Sequence, residues 1–414
     1  MSAEVRGLGR LDPLTDPSLF HELTQRYLVW DAYVGGERRV DVHPLVLSRA
    51  LHDGAVAAAE GVVRAVGHAC DRAHDDPEER ARYDLHPEVL ALAAASHAAG
   101  DDASLVRVDL LLGEDGTWRA CEINADCPGG HNEALGLPRL ARAAGFLSGE
   151  NPTQVVERAA ARIEGLAARG GDPGAVALMF ATAYAEDLQV CAIMKRALEA
   201  RGVRAILSPP TAPRLRGEKL FVGETEITAL YRYFPAEYME GQRNVKDITR
   251  AIRSGAVRTI SAFSHIFVQS KLGMARASML APELSPADRA AVAAYLPDTH
   301  DLADVPRAVL LADRAGWVVK RALGRVGDEV YVGTLCEPLE WVSLVDDALA
   351  KRAAGESWIA QRFIRQRTLP TPWGPRYVTL GAYVLDGQFA GYFARVTPES
   401  HVSHDALVVP VFVE

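Results

Sequence analysis

Four polar residues in one short stretch have the types and the spacing to do chemistry together. In "RVDLLLGEDGTWRACEINAD", residues 107–126, the residues Arg107, Asp109, Glu122 and Asn124 occupy alternate positions of two runs that read as strands. Between the runs stands Asp115-Gly116, the pair suited to a two-residue type I′ turn, in which both central residues take positive φ. Such a turn sets Glu114 opposite Thr117, Asp109 opposite Glu122 and Arg107 opposite Asn124. Val106, Val108, Leu110 and Leu112 then share the other face with Cys121 and Ile123 and make a core-facing surface. Like charges directly opposite on adjacent strands are destabilising unless something neutralises them. A divalent cation would do so, because Mg²⁺ takes one or two carboxylates plus oxygens of a bound phosphate. Two acids pointing apart into water would also suffice, so the hairpin alone leaves both readings open.

A second stretch, "VVKRALGRVGDEVYV", closes a branched apolar strand with Lys320 and continues through a loop holding Gly324 and Gly327. Glycines let backbone N–H groups approach an anion, and a lysine acts on phosphate as a point charge. A flexible hairpin with a solvated lysine has the same pattern. In "SWIAQRFIRQ", Gln361 shares a side with Ile359 and Phe363, where it could read an adenine edge or serve as an edge-strand amide. Lys271 follows an apolar run in "FVQSKLGMA", and Arg395 lies on a strand of a late hairpin; each could equally be a snorkelling surface cation. His401 and His404 sit three apart in a loop with no third ligand in view, so no metal site is expected there.

The elements that must position these groups read as follows. Residues 18–100 are mostly helical by apolar spacing, interrupted by "HDDPEERARYD" (74–84), a solvated connection. After the hairpin, "CPGGHNEALGLPRLARAAG" is a loop leading into a helix. "NPTQVVERAAARIEGLAARG" is a helix capped by Asn151 or Thr153. "AVALMFAT", "DLQVCAIMKRALEARGV" and "RAILSPP" give strand, helix, strand, a small open α/β lobe. Its first loop has no glycine fingerprint for a dinucleotide. "KLFVGETEITALYRYFP" adds a hairpin and a strand. From about residue 250 the pattern is α+β, with a helix capped by Ser285 and a second Asp-Gly hairpin at Asp386-Gly387.

The bulk composition narrows the classes. A chain of 414 residues suggests two or three lobes. The net charge of −9 argues against a nucleic-acid partner bound through its phosphates. The cysteines at 70, 121, 127, 191 and 336 lack the spacing of a zinc site or a disulfide framework. No apolar run is long enough to span a bilayer and the start lacks a signal peptide, so no membrane partner and a cytoplasmic location are expected.

Together these pieces resemble the ATP-grasp ligases, in the circularly permuted arrangement of the glutathionylspermidine synthase family. The most specific match is R-x-D…E-x-N-x-D-x-P, here Arg107-Val-Asp109 and Glu122-Ile-Asn124-Ala-Asp126-Cys-Pro128. The resemblance implies that Asp109, Glu122 and Asn124 hold Mg²⁺ under the phosphates of ATP and that Arg107 stabilises the transferring phosphate. It also implies nucleotide-binding places for Lys271, Lys320, Gly324, Gly327, Gln361 and Arg395. In ordinary ATP-grasp proteins the acidic ligands follow the glycine loop, whereas here they precede it by some two hundred residues, the order a circular permutation produces. Two departures stand out: Arg321 replaces the proline usual after the lysine, and the loop lacks an acid between its last glycines.

The implied fold is α/β with α+β elements, divided into an N-terminal helical region (1–104), the metal hairpin and loop (105–150), a small pre-ATP-grasp-like α/β lobe (151–245) and a nucleotide-binding region (246–414). Only helices are expected before residue 105, with no separate amidase domain. The implied activity is ATP-dependent ligation of a small-molecule or peptide carboxylate to an amine through an acyl phosphate. A phosphotransferase on the same fold and a non-catalytic nucleotide binder are the rivals. Residues 124–134 and 230–235 are candidate acceptor-site linings, where Arg232 could hold a carboxylate or be a surface arginine.

Overall fold

The computed structural model describes residues 2–8, 13–168, 174–324, 329–401 and 406–414. Its centre is a five-stranded antiparallel sheet, in the order Leu407–Val409, Gln388–Thr397, Tyr377–Leu385, Leu105–Leu112, Trp118–Asn124. One face of this sheet is oily because the pleat sends Val106, Val108, Leu110, Trp118, Ala120 and Ile123 the same way. Against that face lies the 27-residue helix Arg49–Asp75. Its buried stripe is built largely of alanines, Ala55, Ala58, Ala59, Ala65, Ala69 and Ala73, at helical spacing. Small side chains allow close approach: a Cβ on Gly61 would stand 3.0 Å from the Ala291 Cβ of helix Pro286–Tyr295. Trp118 ties hairpin to helix by donating its indole N–H to the Leu51 carbonyl at 2.9 Å.

The opposite, polar face of the five-stranded sheet looks toward a four-stranded antiparallel sheet ordered Thr299–Asp301, Trp358–Arg362, Trp317–Arg321, Val330–Val332. Trp317, Val319, Trp358 and Ala360 pack on helix Pro338–Ala353, which turns Val318, Lys320, Ile359 and Gln361 the other way. The expected α/β stretch is present: Ala175–Phe180 pairs in parallel with both Ala205–Ser208 and Thr225–Tyr233, with helix Ala185–Glu199 between the first two. Arg258–Ile260 adds a further parallel strand.

Several expectations fail at the N-terminal side. The region before residue 105 is not all helix, because Ala3–Val5 and Leu45–Leu47 form a three-stranded sheet with Val411–Val413. A short apolar run such as "LVL" is ambiguous between helix and strand, and here pairing decides it. Residues 74–84 are not a solvated connection. Asp76 caps a short helix, Pro77–Ala81, and Glu79 is buried in a fork on Arg276 at 2.5 and 2.7 Å. Tyr83 is buried too, with its ring 4.9 Å from that of Phe267. Neither Asn151 nor Thr153 caps the following helix, which starts at Val155; the Asn151 side chain accepts from the Thr153 N–H instead. Ser285 does cap its helix, accepting from the Asp288 N–H.

Candidate functional site

The hairpin reaches the expected pairing by a different route. Asp109 is opposite Glu122 and Arg107 opposite Asn124, but toward the tip the register is Leu112 with Trp118 and Leu110 with Ala120. The tip is a three-residue loop, Glu114-Asp115-Gly116: Gly113 N–H bonds the Thr117 carbonyl, and only Gly116 has positive φ, at 78°. That is a type I turn with a left-handed third residue, not a type I′ pair. A bulge at Cys121 then adds the missing residue and restores the register. Cys121 accordingly leaves the core face, and Ala120 and Trp118 take that position. The second hairpin is the type I′ case, with positive φ at both Asp386 and Gly387.

The bulge has a chemical use. Freed from the ladder, the Cys121 carbonyl accepts from Lys320 Nζ at 3.0 Å. Lys320 Nζ also donates to Gln361 Oε1 at 2.7 Å, while Gln361 Nε2 donates to Thr299 Oγ1 at 3.1 Å. Each end of the Gln361 amide thus makes one bond, and the residue holds Lys320 in place. Burial lowers the pKa of Lys320 from the ordinary lysine value, against the pull of Cys121 and Glu122.

Arg107 forks onto Asp109, with Nε to Oδ1 at 2.7 Å and Nη2 to Oδ2 at 3.0 Å, and gives Nη1 to the Gly129 carbonyl at 3.0 Å. Arg395 adds its Nη2 to Asp109 Oδ2 at 2.7 Å and keeps a buried Nε with no hydrogen-bond partner. Both guanidinium groups lie near the Phe393 ring, at 5.2 and 5.6 Å. Burial would raise the Asp109 carboxyl, yet Arg107 and then Arg395 outweigh it and hold the group below the usual carboxylate range. Lys271 Nζ bridges Glu122 Oε1 at 3.0 Å and the Gly324 carbonyl at 2.8 Å. For Glu122 as well, the upward push of burial is overcome, chiefly by Lys271, so its carboxyl is lowered.

Arg107, Asp109, Glu122, Asn124, Lys271, Lys320, Gly324, Gln361 and Arg395 thus converge on one place between the two antiparallel sheets. Gly327 lies outside the described residues, as does His404. Four cations against two carboxylates leave an excess of two positive charges, the sign that a polyphosphate requires. Asp109, Glu122 and the Asn124 amide also put three oxygen donors on one face, with Asn124 Nδ2 turned to Asp109 at 3.4 Å. The set fits Mg²⁺, whose remaining positions go to phosphate and water. Among the described residues no three His, Cys, Asp or Glu side chains form a metal site by themselves.

Other participants left little sequence signal. Gly381, opposite both Asp109 and Phe393, clears the floor under Arg107; a Cβ there would stand 2.7 Å from Arg107 Cδ and 2.9 Å from the Phe393 carbonyl. A glycine inside a strand is a hint of such close approach. We expect Gly381→Ala to lift Arg107 off Asp109 and to reduce turnover by about 10²-fold with the circular dichroism spectrum unchanged; normal turnover would show that Arg107 is not needed where it lies. Gln269 holds the turn after Asn124 by accepting from the N–H groups of Ala125 and Asp126 at 2.8 and 3.0 Å. Arg232 is neither a surface residue nor a substrate clamp. It is 1% exposed, ion-paired with Asp126, and donates to the carbonyls of Phe234 and Ser261.

No helix among the described residues is long and apolar enough to cross a membrane. No curated protein matches the sequence. Among solved structures, a glutathione synthetase-like effector from Globodera pallida superimposes with a TM-score of 0.60 at 11% identity, covering 98% of each chain. A putative gamma-glutamylcysteine synthetase from Methylobacillus flagellatus matches 75% of this chain and 80% of its own, at 12% identity and a TM-score of 0.41. The family model described as glutathionylspermidine synthase preATP-grasp matches residues 30–414, and the chain, a mixed α/β protein, belongs to that family.

Proposed function

We propose that the protein is an ATP-dependent carboxylate–amine ligase, with the ATP-grasp elements in circularly permuted order. The observation that carries this reading is the meeting of Lys320 and Lys271 with the Arg107–Asp109–Glu122–Asn124 hairpin at one place. On this reading residues 105–150 supply the metal side, 246–414 the nucleotide side, 151–245 the small α/β lobe and 1–104 the N-terminal region.

Phosphoryl transfer leaves a protein little covalent work; its part is positioning and charge. Lys320, fixed by the Cys121 carbonyl and Gln361, would hold the outer phosphates, helped by Lys271. Arg395, whose buried Nε has no hydrogen-bond partner, would add its charge to the phosphate side. Arg107 has two N–H bonds left after serving Asp109 and Gly129 and would meet charge on the transferring group. Asp109, Glu122 and Asn124 would hold Mg²⁺, which when bound neutralises phosphate oxygens. The substrate carboxylate takes the γ-phosphoryl group to give an acyl phosphate and ADP, and the amine then displaces orthophosphate.

The test is a screen of carboxylates against amines for ADP release, with mass spectrometry of the hits. The expected result is orthophosphate released only when both are present, with an amide as product. Phosphate retained on the substrate without an amine would identify a phosphotransferase instead.

A further inference from the structure

Behind Arg107 lies a group of polar residues that phosphate chemistry leaves unused. The Gly129 carbonyl that accepts from Arg107 also accepts from the Tyr383 hydroxyl at 2.5 Å. Gly130, at φ 91°, then starts the 13-residue helix His131–Ala143. The first turn of that helix is buried: His131 and Asn132 are 0% exposed and Glu133 is 8% exposed. Even so, both ring nitrogens of His131, Asn132 Oδ1 and Glu133 Oε2 have no hydrogen-bond partner. Each buried orphan costs about 1–3 kcal/mol, so four within one turn mark a place made for a ligand.

The orphans specify what is missing. Asn132 Nδ2 is pinned by the carbonyls of Tyr27 at 2.8 Å and Gln189 at 3.0 Å, so the unmet group is the acceptor oxygen. Glu133 Oε2 is an acceptor as well. The charged groups that act most on Glu133 are Asp31, on the segment before the Tyr33–Val34 strand, Glu186 in the first turn of helix Ala185–Glu199, and the cation Arg39. Burial first, then these two acids, push its carboxyl up to about 7. His131, held neutral by burial and by Arg107, sets its ring 5.4 Å from that of Tyr383. The unmet acceptors are Asn132 Oδ1, Glu133 Oε2 and the unprotonated nitrogen of His131; they call for a group bringing several N–H donors, and an ammonium is such a group.

We propose that this helix turn receives the amine substrate and that Glu133 is the base that takes its proton. The inference rests on the ligase reading above. In the step, Glu133 accepts one proton from the ammonium, and the freed nitrogen lone pair forms the C–N bond at the acyl phosphate carbonyl. The C–O bond to phosphate breaks with its electron pair, and the second nitrogen proton leaves with the phosphate. Asn132 Oδ1 and His131 hold the remaining N–H groups.

Hydroxylamine separates this role from others, because it is uncharged at neutral pH and needs no base. For Glu133→Gln we expect amide formation with alkylamines to fall about 10²-fold or more, with hydroxamate formation within about threefold of wild type. The wild-type amide rate should rise with pH through about 7, a limb absent from the variant and from the hydroxylamine reaction. Equal loss with both acceptors, or equal retention, would overturn the proposal. The fold control follows from the sign of the shift. The folded carboxyl lies above its unfolded value, so ionising it costs stability as pH rises, and Glu133→Gln should melt no lower than wild type at pH 8.

A binding measurement stands apart from the ligase reading. In calorimetry on the nucleotide-free chain with methylamine through 1,4-diaminobutane, at least one amine should bind wild type and lose about tenfold or more in affinity to Glu133→Gln. Binding of none, or equal binding to both forms, would sink the amine site. Absence of carboxylate-dependent ADP release would sink only the ligase reading.

Discussion

Glu122→Gln is expected to reduce ATP-dependent turnover by about 10³-fold and to lower the melting temperature. Glu122 is half-buried, but Lys271, its ion-pair partner among the described residues, is 3% exposed, so the variant leaves a buried cation facing a neutral amide in place of its counter-charge. Titration of ATP with and without Mg²⁺ gives the direct readout: wild type should bind the nucleotide more tightly with the metal, and the variant should lose that dependence. Turnover within a few-fold of wild type would remove Glu122 from the metal site. Asp109 is a less clean probe than the hairpin register alone suggests. It is the shared counter-charge of Arg107 and Arg395, both drawn into the sheet. Asp109→Ala should therefore abolish turnover and also cost about 3–5 kcal/mol of stability, the usual result of leaving buried cations unpaired. A large activity loss in Asp109→Ala without a fall in melting temperature would mean that the two arginines relax into solvent.

Lys320→Met is expected to weaken ATP binding by about 10- to 100-fold, as the loss of one charge-assisted hydrogen bond of about 1.5–3 kcal/mol implies. Its buried position lowers the lysine's pKa, so wild-type ATP affinity should decline on the alkaline side before an ordinary lysine would titrate. The methionine variant should show no such limb. Gln361→Leu should weaken binding less, since it leaves Lys320 charged and held by the Cys121 carbonyl. Unchanged nucleotide affinity in Lys320→Met, measured by calorimetry, would place the phosphates elsewhere.

Much of the hairpin was legible in the sequence, though for a partly mistaken reason. The pairing of Asp109 with Glu122 follows from a two-residue turn, but the turn has three residues and a bulge at Cys121 cancels the difference. Bulges leave little trace in sequence because the extra residue need only fit an irregular stretch of ladder. Strand and helix alternation through residues 175–233 was readable because long buried runs have few competing structures. Lys271 and Arg395 carried no local signal of their own, since each meets its acid across more than a hundred residues of chain. The buried pairs Glu79–Arg276 and Asp126–Arg232 were invisible for the same reason, and charge led both regions to be read as solvated or substrate-facing. The acceptors of the Asn132–Glu133 turn needed the structure, because an unmet hydrogen bond cannot be seen without its surroundings.

The strand Leu105–Leu112 takes one neighbour from the adjacent hairpin and the other, Tyr377–Leu385, from near the end of the chain. Arg395 stands 286 positions after the Asp109 it neutralises. At about 5–20 residues per second, a ribosome needs roughly 15–60 s to make that interval. Through all of it the nascent hairpin presents an unpaired strand edge and a carboxylate with half its counter-charge. The charge cluster around Asp109 is therefore among the last parts of the molecule to be completed during translation.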